Sequence, residues 1–311
     1  MKLDFANDIK FSGKYAFLRL FGELFQLAHI SKISDLIWKK RNEFIVSCLR
    51  EEMLPLIQEY RDNDRSGESC NLTAPIWICW WQGVEEAPEL VKRCIDSVYN
   101  HSSNHQVNLI TKKTINEYIN VPQSIINSAE SGNIRYANLA DYIRTALIAK
   151  YGGIWIDATV YMTQTIKEEY FAIPFYTVNG DRFDGYYIAG GRWATYVIGG
   201  WKGSKLFGFI EKAMNQHISK HNGCIDYFLI DYLIELAYRE FDDIKEIIDN
   251  VPPNNPNRFA LRDAMNLDLE YAQMHHIITE DTIFYKLSHK SNYGKYDKDG
   301  KETIYAKLFL E

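Results

Sequence analysis

The chain has 311 residues, of which 46% are hydrophobic and 24% are charged, and its formal net charge is −6 at pH 7. This length and composition suit one large globular domain or two small ones with a real core, so they exclude a wholly disordered chain. The mild acidity argues against general nucleic-acid binding, and no apolar run approaches the roughly 20 residues of a membrane-spanning helix.

Cysteine usage and the start of the chain favour the cytoplasm. The five cysteines are odd in number, scattered, and form no Cys-x-x-Cys pair. Neither a disulfide framework nor a zinc site is therefore indicated. The first ten residues are polar and carry acidic groups, unlike a secretory signal. We expect a cytoplasmic protein that can also lie at the inner face of the cell membrane.

Residues 1–70 are predicted to form a helical N-terminal segment. Its first 50 residues hold nine Lys and Arg against five Asp and Glu, a net charge of +4. Apolar side chains recur there at helical spacing: Phe17, Phe21, Leu24 and Ala28. Such a helix either lies on an anionic membrane surface or packs on the main domain with its charges solvated. The second interpretation is favoured, because Glu23 and Asp35 dilute the basic face.

The remainder, residues 71–311, is predicted to be an α/β domain that begins after the polar stretch 61–70. Strands are predicted in apolar, β-prone stretches and helices in periodic ones: strands at 76–81 and 106–111 and within 282–290, and helices at 88–99 and 225–238. Strands and helices that alternate at this spacing favour a largely parallel central sheet.

The most informative stretch lies in the middle of the chain. A helix predicted over 141–150 is followed by two glycines and by the short apolar strand 154–156, which Asp157 ends. Ligands of open α/β sheets bind beyond the carboxyl ends of strands. Asp157 is therefore expected in a ligand site, where a carboxylate suits Mg²⁺ or Mn²⁺ on a diphosphate. Arg144 is a candidate phosphate partner, and Asp141 a candidate acceptor of hydrogen bonds from sugar hydroxyls.

Each of these residues also has a purely structural interpretation. Asn138, with Asp141 three residues later, makes a good helix start. Asp141 and Arg144 could form an exposed ion pair, and Asp157 could cap a turn. The acid, the arginine one turn later, the two glycines and the acid at the strand end are less easily accidental together. A ligand site is therefore favoured.

This arrangement resembles the DXD-containing sugar-transferase family, which includes bacterial capsular polysaccharide synthesis proteins and, more distantly, the glucosylating clostridial toxins. The group is related to glycosyltransferase family 32. Its hallmark is an acid-x-x-Arg helix, a Gly-Gly turn, a hydrophobic strand and Asp-x-Asp. The matching residues are Asp141, Arg144, Gly152, Gly153, Asp157 and Thr159. The resemblance extends loosely over residues 75–290 and implies an α/β GT-A fold with a mostly parallel central sheet.

The resemblance also implies an activity, that of a metal-dependent retaining glycosyltransferase. Such an enzyme moves a hexose from a nucleotide sugar, here UDP-galactose or UDP-glucose, to a hydroxyl of a lipid-linked saccharide in capsular or exopolysaccharide repeat-unit synthesis. The implied partners are the UDP-sugar donor and the lipid-linked oligosaccharide acceptor, with peripheral membrane contact and no nucleic acid. The catalytic residues implied are Asp141, Arg144 and Asp157.

The implied cofactor is Mn²⁺ or Mg²⁺, with Asp157, Thr159 and His289 as its ligands. Thr159 departs from the family pattern, because it stands where the second aspartate would be and offers only a hydroxyl. Glu280 or Asp281 could instead complete the metal shell.

Donor-binding residues are implied near both ends of the domain. Trp81 is expected to stack on the base, with Trp80 as the second choice. A basic C-terminal loop is expected to close over the phosphates. The full set implied for donor binding is Trp81, Asp141, Arg144, Lys286, Ser288 and Lys290.

Acids and aromatics of the second half are further candidates. Asp226 or Asp231 could orient the acceptor or the sugar, but Asp226 is expected instead to face solvent from an otherwise buried helix. Some side chains among glycines either line an acceptor groove or pack within turns: Tyr186, Arg192, Trp193 and Trp201.

Two other functions stay open. A toxin-like enzyme would glycosylate a protein, although 311 residues are expected to leave no room for delivery domains. A degenerate scaffold would bind nucleotide sugars without catalysis, with Thr159 as the mark of lost metal binding. Hydrolysis of the donor separates the enzymes from the scaffold, and acceptor preference separates the two enzymes. A dehydrogenase is excluded, because no Gly-x-Gly-x-x-Gly follows a strand.

Overall fold

The fold is described from a computed structural model, over residues 11–62, 65, 67–180, 185–268 and 276–310. Its helices are α1 (Gly13–Leu27), α2 (Ser31–Glu52), α3 (Leu54–Arg61), α4 (Glu89–Asn100), α5 (Gln123–Glu130), α6 (Tyr136–Tyr151), α7 (Glu169–Ala172), α8 (Lys205–His221), α9 (Leu229–Glu240), α10 (Asp242–Asp249) and α11 (Ala260–Ala264). Its strands are β1 (Ile76–Cys79), β2 (Val107–Ile110), β3 (Gly153–Ile156), β4 (Val160–Met162), β5 (Phe175–Thr177), β6 (Val197–Gly200) and β7 (Phe284–Lys286).

A five-stranded sheet in the order β2-β1-β3-β6-β5 forms the centre of the molecule. β1 pairs in parallel with β2 and β3, whereas β6 is antiparallel to both β3 and β5. Every strand of this sheet except β6 therefore runs in the same direction. β4 and β7 pair separately as a small antiparallel sheet. The prediction of a mixed α/β fold with a mostly parallel central sheet and a helical N-terminus is confirmed.

The central strands are buried on both faces, which explains why they read as continuous apolar runs. Trp77 of β1 and Trp155 of β3 enter one core, with side chains from α2, α6, α8 and α9. Ile76 and Ile154 enter the other core, with side chains from α4, β4 and β7. Because successive strand residues point to opposite faces, each strand serves both cores.

Two helices begin at places that differ from the prediction. Helix α6 begins at Tyr136, because the backbone N–H of Arg135 donates to the side chain of Asn138 and closes the first turn earlier. Asn138 and Asp141 therefore do not start the helix. Helix α9 begins at Leu229, because the Asp226 carboxylate accepts the N–H of Phe228 at 2.9 Å and forms a turn before it.

The N-terminal helices pack on one another and on the main core. Helix α1 contacts α2 closely at Gly22, where a Cβ would lie 2.8 Å from the Trp38 ring. Residues of α2 and α3 join the core that covers one face of the sheet. The predicted apolar stripe does not make this contact, since Phe17 is 56% and Leu24 50% exposed. The favoured interpretation is thus confirmed in that α1 packs on the protein, but α1 does so through the side that carries Gly22 and not through the predicted apolar stripe.

The predicted domain boundary falls after α3. The polar stretch 61–70 begins at the last residue of α3 and lies before β1, and residues 63, 64 and 66 are outside the described part. Ser69 forms a bridge with Lys202 in this connection. The division into 1–70 and 71–311 stays a prediction.

Candidate functional site

A cleft of about 1050 Å³ opens at the carboxyl ends of β1 and β3. Its walls come from the residues that follow these strands, from α6 and α9, and from the end of β7. The location is where open α/β sheets bind ligands, and the volume is ample for a small-molecule ligand. The catalytic, donor-binding and metal-binding residues implied by the resemblance all line it: Trp81, Asp141, Arg144, Asp157, Thr159, Lys286, Ser288, His289 and Lys290.

Two glycines direct Asp157 into the cleft. Gly152 and Gly153 end α6 and begin β3 with φ angles of 72° and 98°, a region that favours glycine. A Cβ on Gly153 would overlap the carbonyl oxygen of Pro75, so only glycine lets β3 approach β1 this closely. The turn therefore sends the chain straight from the helix that carries Arg144 into the strand that Asp157 follows.

Arg144 bridges two acids. Its Nη1 donates to Asp141 and its Nη2 to Asp157, each at 3.0 Å. Its side chain is only 5% exposed, and the guanidinium lies over the Trp155 ring. The Asp141–Arg144 pair is thus buried, not the exposed pair that was considered. Because each outer nitrogen carries two N–H donors, binding both carboxylates does not use up the donor capacity of Arg144.

Asp157 is held as an anion. Its Oδ1 accepts from Arg144 and, at 2.8 Å, from Trp155 Nε1, while its Oδ2 accepts from Lys286 Nζ at 2.8 Å. Burial raises its pKa, but the charges of Lys286 and Arg144 outweigh burial and hold the pKa below the usual range. Asp157 therefore carries its negative charge throughout the physiological range.

Lys286 reaches Asp157 through the small sheet. Val160 of β4 pairs with Lys286 of β7, and the N–H of Leu287 donates to the Thr159 carbonyl at 2.9 Å. The Lys286 ammonium also donates to Oγ1 of Thr159 at 2.6 Å. The predicted strand within 282–290 is present, and its last residue lies against the Asp-Ala-Thr segment.

Two further carboxyls of the cleft titrate near neutrality. Burial raises the pKa of Asp141 to about 7 and that of Asp231 to about 6. Arg144 opposes the shift of Asp141, and a hydrogen bond of 2.9 Å from Trp193 Nε1 opposes that of Asp231. Carboxyls of this kind can exchange protons with a bound ligand at physiological pH.

Aromatic and basic side chains form the other side of the cleft. Trp81 follows the end of β1 and lines the cleft, but it is only 9% exposed and belongs to one of the two cores, so its stacking role stays a prediction. The indole N–H of Trp80 is buried without a hydrogen-bond acceptor in the described part of the chain. The Trp80 ring meets His289 edge-on, with centroids 5.4 Å apart. Burial, with Lys290 and Lys286 nearby, lowers the pKa of His289, so its imidazole is neutral at pH 7.

A family model described as "Capsular polysaccharide synthesis protein" matches residues 27–308. The chain belongs to this family. The match covers most of the chain, including the cleft and helices α2 and α3, and it confirms the suspected resemblance. The family indicates a role in capsule synthesis and a glycosyltransferase-like enzyme. No curated protein matches the chain.

The ligands predicted for a metal in this family member do not form a cation site as they are arranged. Among the described residues, the one group of three or more His, Cys, Asp and Glu side chains at ligand spacing is Glu52, His217 and His221, which does not line the cleft. The Lys286 ammonium already binds Asp157 and Thr159. Glu280 and Asp281 do not line the cleft either. These residues do not fit a divalent ion, and metal dependence stays a prediction.

The structure corrects some of the weaker predictions and shows which of the remaining candidates line the cleft. Asp226 does not face solvent: it is 6% exposed and accepts from the Tyr15 hydroxyl at 2.8 Å. Trp201 lies away from the cleft and donates to the Phe171 carbonyl. Three of the remaining candidates line the cleft: Tyr186, Trp193 and Asp231. Arg192 does not line it and pairs with Glu235.

Trp155 and Tyr227 were missed by the sequence predictions. Trp155 donates to Asp157, and Tyr227 lines the cleft one residue after Asp226. The position of Trp155 could have been found, because residues two apart on a strand share a face. Tyr227 gave no comparable signal, since it lies in an irregular turn before α9.

No helix among the described residues has both the length and the apolar character needed to cross a bilayer.

Proposed function

We propose that the chain is a retaining glycosyltransferase of the GT-A type. It would transfer a hexose from UDP-glucose or UDP-galactose to a hydroxyl of a lipid-linked saccharide in capsule synthesis. The observation that carries the proposal is the ion-paired cluster of Asp141, Arg144, Asp157 and Lys286 at the carboxyl edge of the sheet. The family membership supports the same reading.

The cleft offers a chemically distinct place for each part of such a donor. Trp81 has an apolar ring suited to stacking on the base. Lys286, Ser288 and Lys290 supply donors for phosphate oxygens. Asp141, whose pKa lies near 7, can accept hydrogen bonds from sugar hydroxyls.

The transfer step is charge separation at the anomeric carbon. The bond from this carbon to the phosphate oxygen breaks, and its electron pair stays on the diphosphate. The acceptor oxygen bonds to the same carbon from the same side, and its proton passes to the departing oxygen. No protein nucleophile is assigned, so the role of the cleft is to orient both substrates and to stabilise the leaving group.

We also propose that the α1–α2 pair rests on an anionic lipid surface that carries the acceptor. Large apolar side chains are exposed along this pair: Phe17, Leu24, Leu27, Ile30, Ile33 and Leu36. Three exposed lysines, at 32, 39 and 40, are on the same helical pair. Apolar insertion together with positive charge is the combination that holds amphipathic helices at anionic membranes.

A panel of nucleotide sugars tests the proposed function. We expect calorimetry to find one UDP-hexose that binds, and we expect purified protein to hydrolyse it slowly without an acceptor. Asp157→Asn should keep the fold and lose turnover by about 100-fold or more, because it removes the charge that orders both cations. Binding without hydrolysis would favour the scaffold, and labelling of proteins in preference to lipid-linked saccharides would favour the toxin-like enzyme. No binding at all would contradict the proposal.

A further inference from the structure

Lys286 occupies the place where a divalent metal ion was expected. Its Nζ lies 2.8 Å from Oδ2 of Asp157 and 2.6 Å from Oγ1 of Thr159. These two residues are the ends of the Asp-Ala-Thr segment that matches the metal-binding acids of related transferases. The oxygens that would hold the ion therefore already hold a cation.

The negative charge at this position is already compensated without a metal. Asp157 supplies one negative charge and Thr159 supplies none, whereas a divalent ion is usually held by several oxygen ligands with carboxylates among them. Arg144 shares the charge of Asp157 as well. An ion placed beside the Lys286 ammonium would meet a like charge at short range.

The backbone fixes the ammonium in this position. Lys286 is the last residue of β7, and its N–H donates to the carbonyl of Arg258 at 2.7 Å. The N–H of the next residue, Leu287, donates to Thr159. The Lys286 side chain is 22% exposed, so it reaches the open cleft while the backbone hydrogen bonds hold its residue in place. A group whose backbone is held by the turns at Arg258 and Thr159 is preorganised in the way that electrostatic catalysis requires.

We propose that the Lys286 ammonium replaces the divalent metal of the transfer reaction, so that donor binding and sugar transfer need no metal ion. The inference rests on the proposed function and assigns the cation of that site. An ammonium has three N–H donors, of which Asp157 and Thr159 accept two. The third is available to an oxygen of the donor diphosphate.

This assignment gives Lys286 a defined part in the step. When the bond between the anomeric carbon and the phosphate oxygen breaks, the electron pair goes to the diphosphate. The ammonium stabilises that added charge, while the acceptor hydroxyl supplies both the new bond to carbon and the proton that the diphosphate takes up. No oxidant, reductant or further reactant enters the step.

Calorimetric titration with UDP, GDP and ADP tests the inference on the full chain. Each nucleotide is titrated into wild type in EDTA and in MnCl₂, after the metal content of the protein has been measured by mass spectrometry. Lys286→Met keeps an unbranched side chain, one heavy atom shorter, and removes its charge. Lys295→Met is the matched control, because Lys295 is an exposed lysine close in sequence that does not line the cleft.

We expect one nucleotide to bind in EDTA as tightly as in MnCl₂, and Lys286→Met to weaken it by about tenfold or more, since a charge-assisted hydrogen bond is lost. Manganese should not restore that loss, because Thr159 provides no second carboxylate. Lys295→Met should bind like wild type.

Three results would overturn the inference. Binding by wild type only with manganese would do so while leaving the proposed function intact, and unchanged affinity of Lys286→Met in EDTA would do the same. Failure of every nucleotide to bind in either condition would overturn the proposed function and the inference together. If Lys286→Met does not fold, the comparison of wild type in EDTA and manganese decides alone.

Discussion

Charge organises the cleft at the scale of single residues. Three carboxyls line the cleft, those of Asp141, Asp157 and Asp231, and two of its cations, Arg144 and Lys286, form ion pairs with Asp157. The charges of these two cations act mainly on Asp157 and lower its pKa. The pKa values of Asp141 and Asp231 are raised instead, because burial there is less well compensated. One acid is thus fixed as an anion and two remain able to take up protons.

Arg144→Ala should destabilise the protein by about 3 kcal/mol, because it leaves two carboxylates in a buried place without their shared partner. The double variant Arg144→Ala/Asp141→Ala should recover part of that loss. Denaturant unfolding of both variants measures the difference. Arg262→Ala is the control, since Arg262 pairs with its neighbour Asp263 at the rim of the cleft and should cost about 1 kcal/mol or less. Equal effects of Arg144→Ala and Arg262→Ala would contradict the bridging role.

Asp141→Asn should change how thermal stability depends on pH. Burial raises the pKa of Asp141 from 3.8 to about 7, so between these values the folded state binds more protons than the unfolded state. The free energy of unfolding therefore falls as pH rises through this window. The variant lacks this loss. The difference in melting temperature, variant minus wild type, should therefore be greater at pH 8 than at pH 5, by about 2 °C or more.

Differential scanning calorimetry at the two pH values checks this expectation for Asp141. Asp96→Asn, at an exposed position of α4, is the control for a change of one charge. A wild-type stability that rises between pH 5 and pH 8 relative to Asp141→Asn would show that the carboxyl is stabilising in its charged form, contrary to the prediction.

At the scale of elements, the turn from α6 into β3 positions the site. Gly153→Ala should destabilise the protein by about 3 kcal/mol or more, because it adds a clash with Pro75 to an unfavourable φ angle. Gly132→Ala is a matched control, since Gly132 also has a positive φ but has open space around it, and about 1 kcal/mol is expected there. Denaturant unfolding measures both, and equal losses would mean that the close approach of β3 to β1 is not the constraint.

Local signals in the sequence were enough to predict β3 and the exit of Asp157 into the cleft, because two glycines and an apolar run lie next to it. They were not enough for the contact of Lys286 with Asp157, which depends on the register of two distant strands, β4 and β7. The outward face of α1 was predicted wrongly for a similar reason. Helical spacing shows which residues share a face, but it does not tell whether that face or the one with Gly22 meets Trp38.

For the whole molecule, the exposed apolar side chains of α1 and α2 set an expectation about membranes. Leu27→Glu should reduce co-sedimentation with vesicles that contain phosphatidylglycerol, because Leu27 is 77% exposed and its replacement adds a negative charge to the contact. Its melting temperature should stay close to that of wild type. Leu72→Glu, at another exposed leucine outside these helices, should sediment like wild type. Equal sedimentation of the two variants would reject the lipid contact.

The same helices are tied to the cleft wall from inside. Arg41 of α2 donates to the Tyr232 hydroxyl at 2.6 Å, and Tyr15 of α1 donates to Asp226. Tyr232 lines the cleft. If this helical pair rests on lipid as we propose, these contacts would fix the distance and angle between the cleft and the lipid surface.

The pairing of β4 with β7 also has a consequence for biosynthesis. Lys286 follows Asp157 by 129 residues along the chain. Once a ribosome has added β5 and β6, the chain holds every strand of the five-stranded sheet, the glycine turn and the Asp157–Arg144 pair, but it still lacks the ammonium. A nascent chain of that length would also lack the β7 side chains of the second core, and under the proposed function it could not yet bind the nucleotide sugar. The chain would become able to bind its donor only late in synthesis, when β7 has been added and pairs with β4.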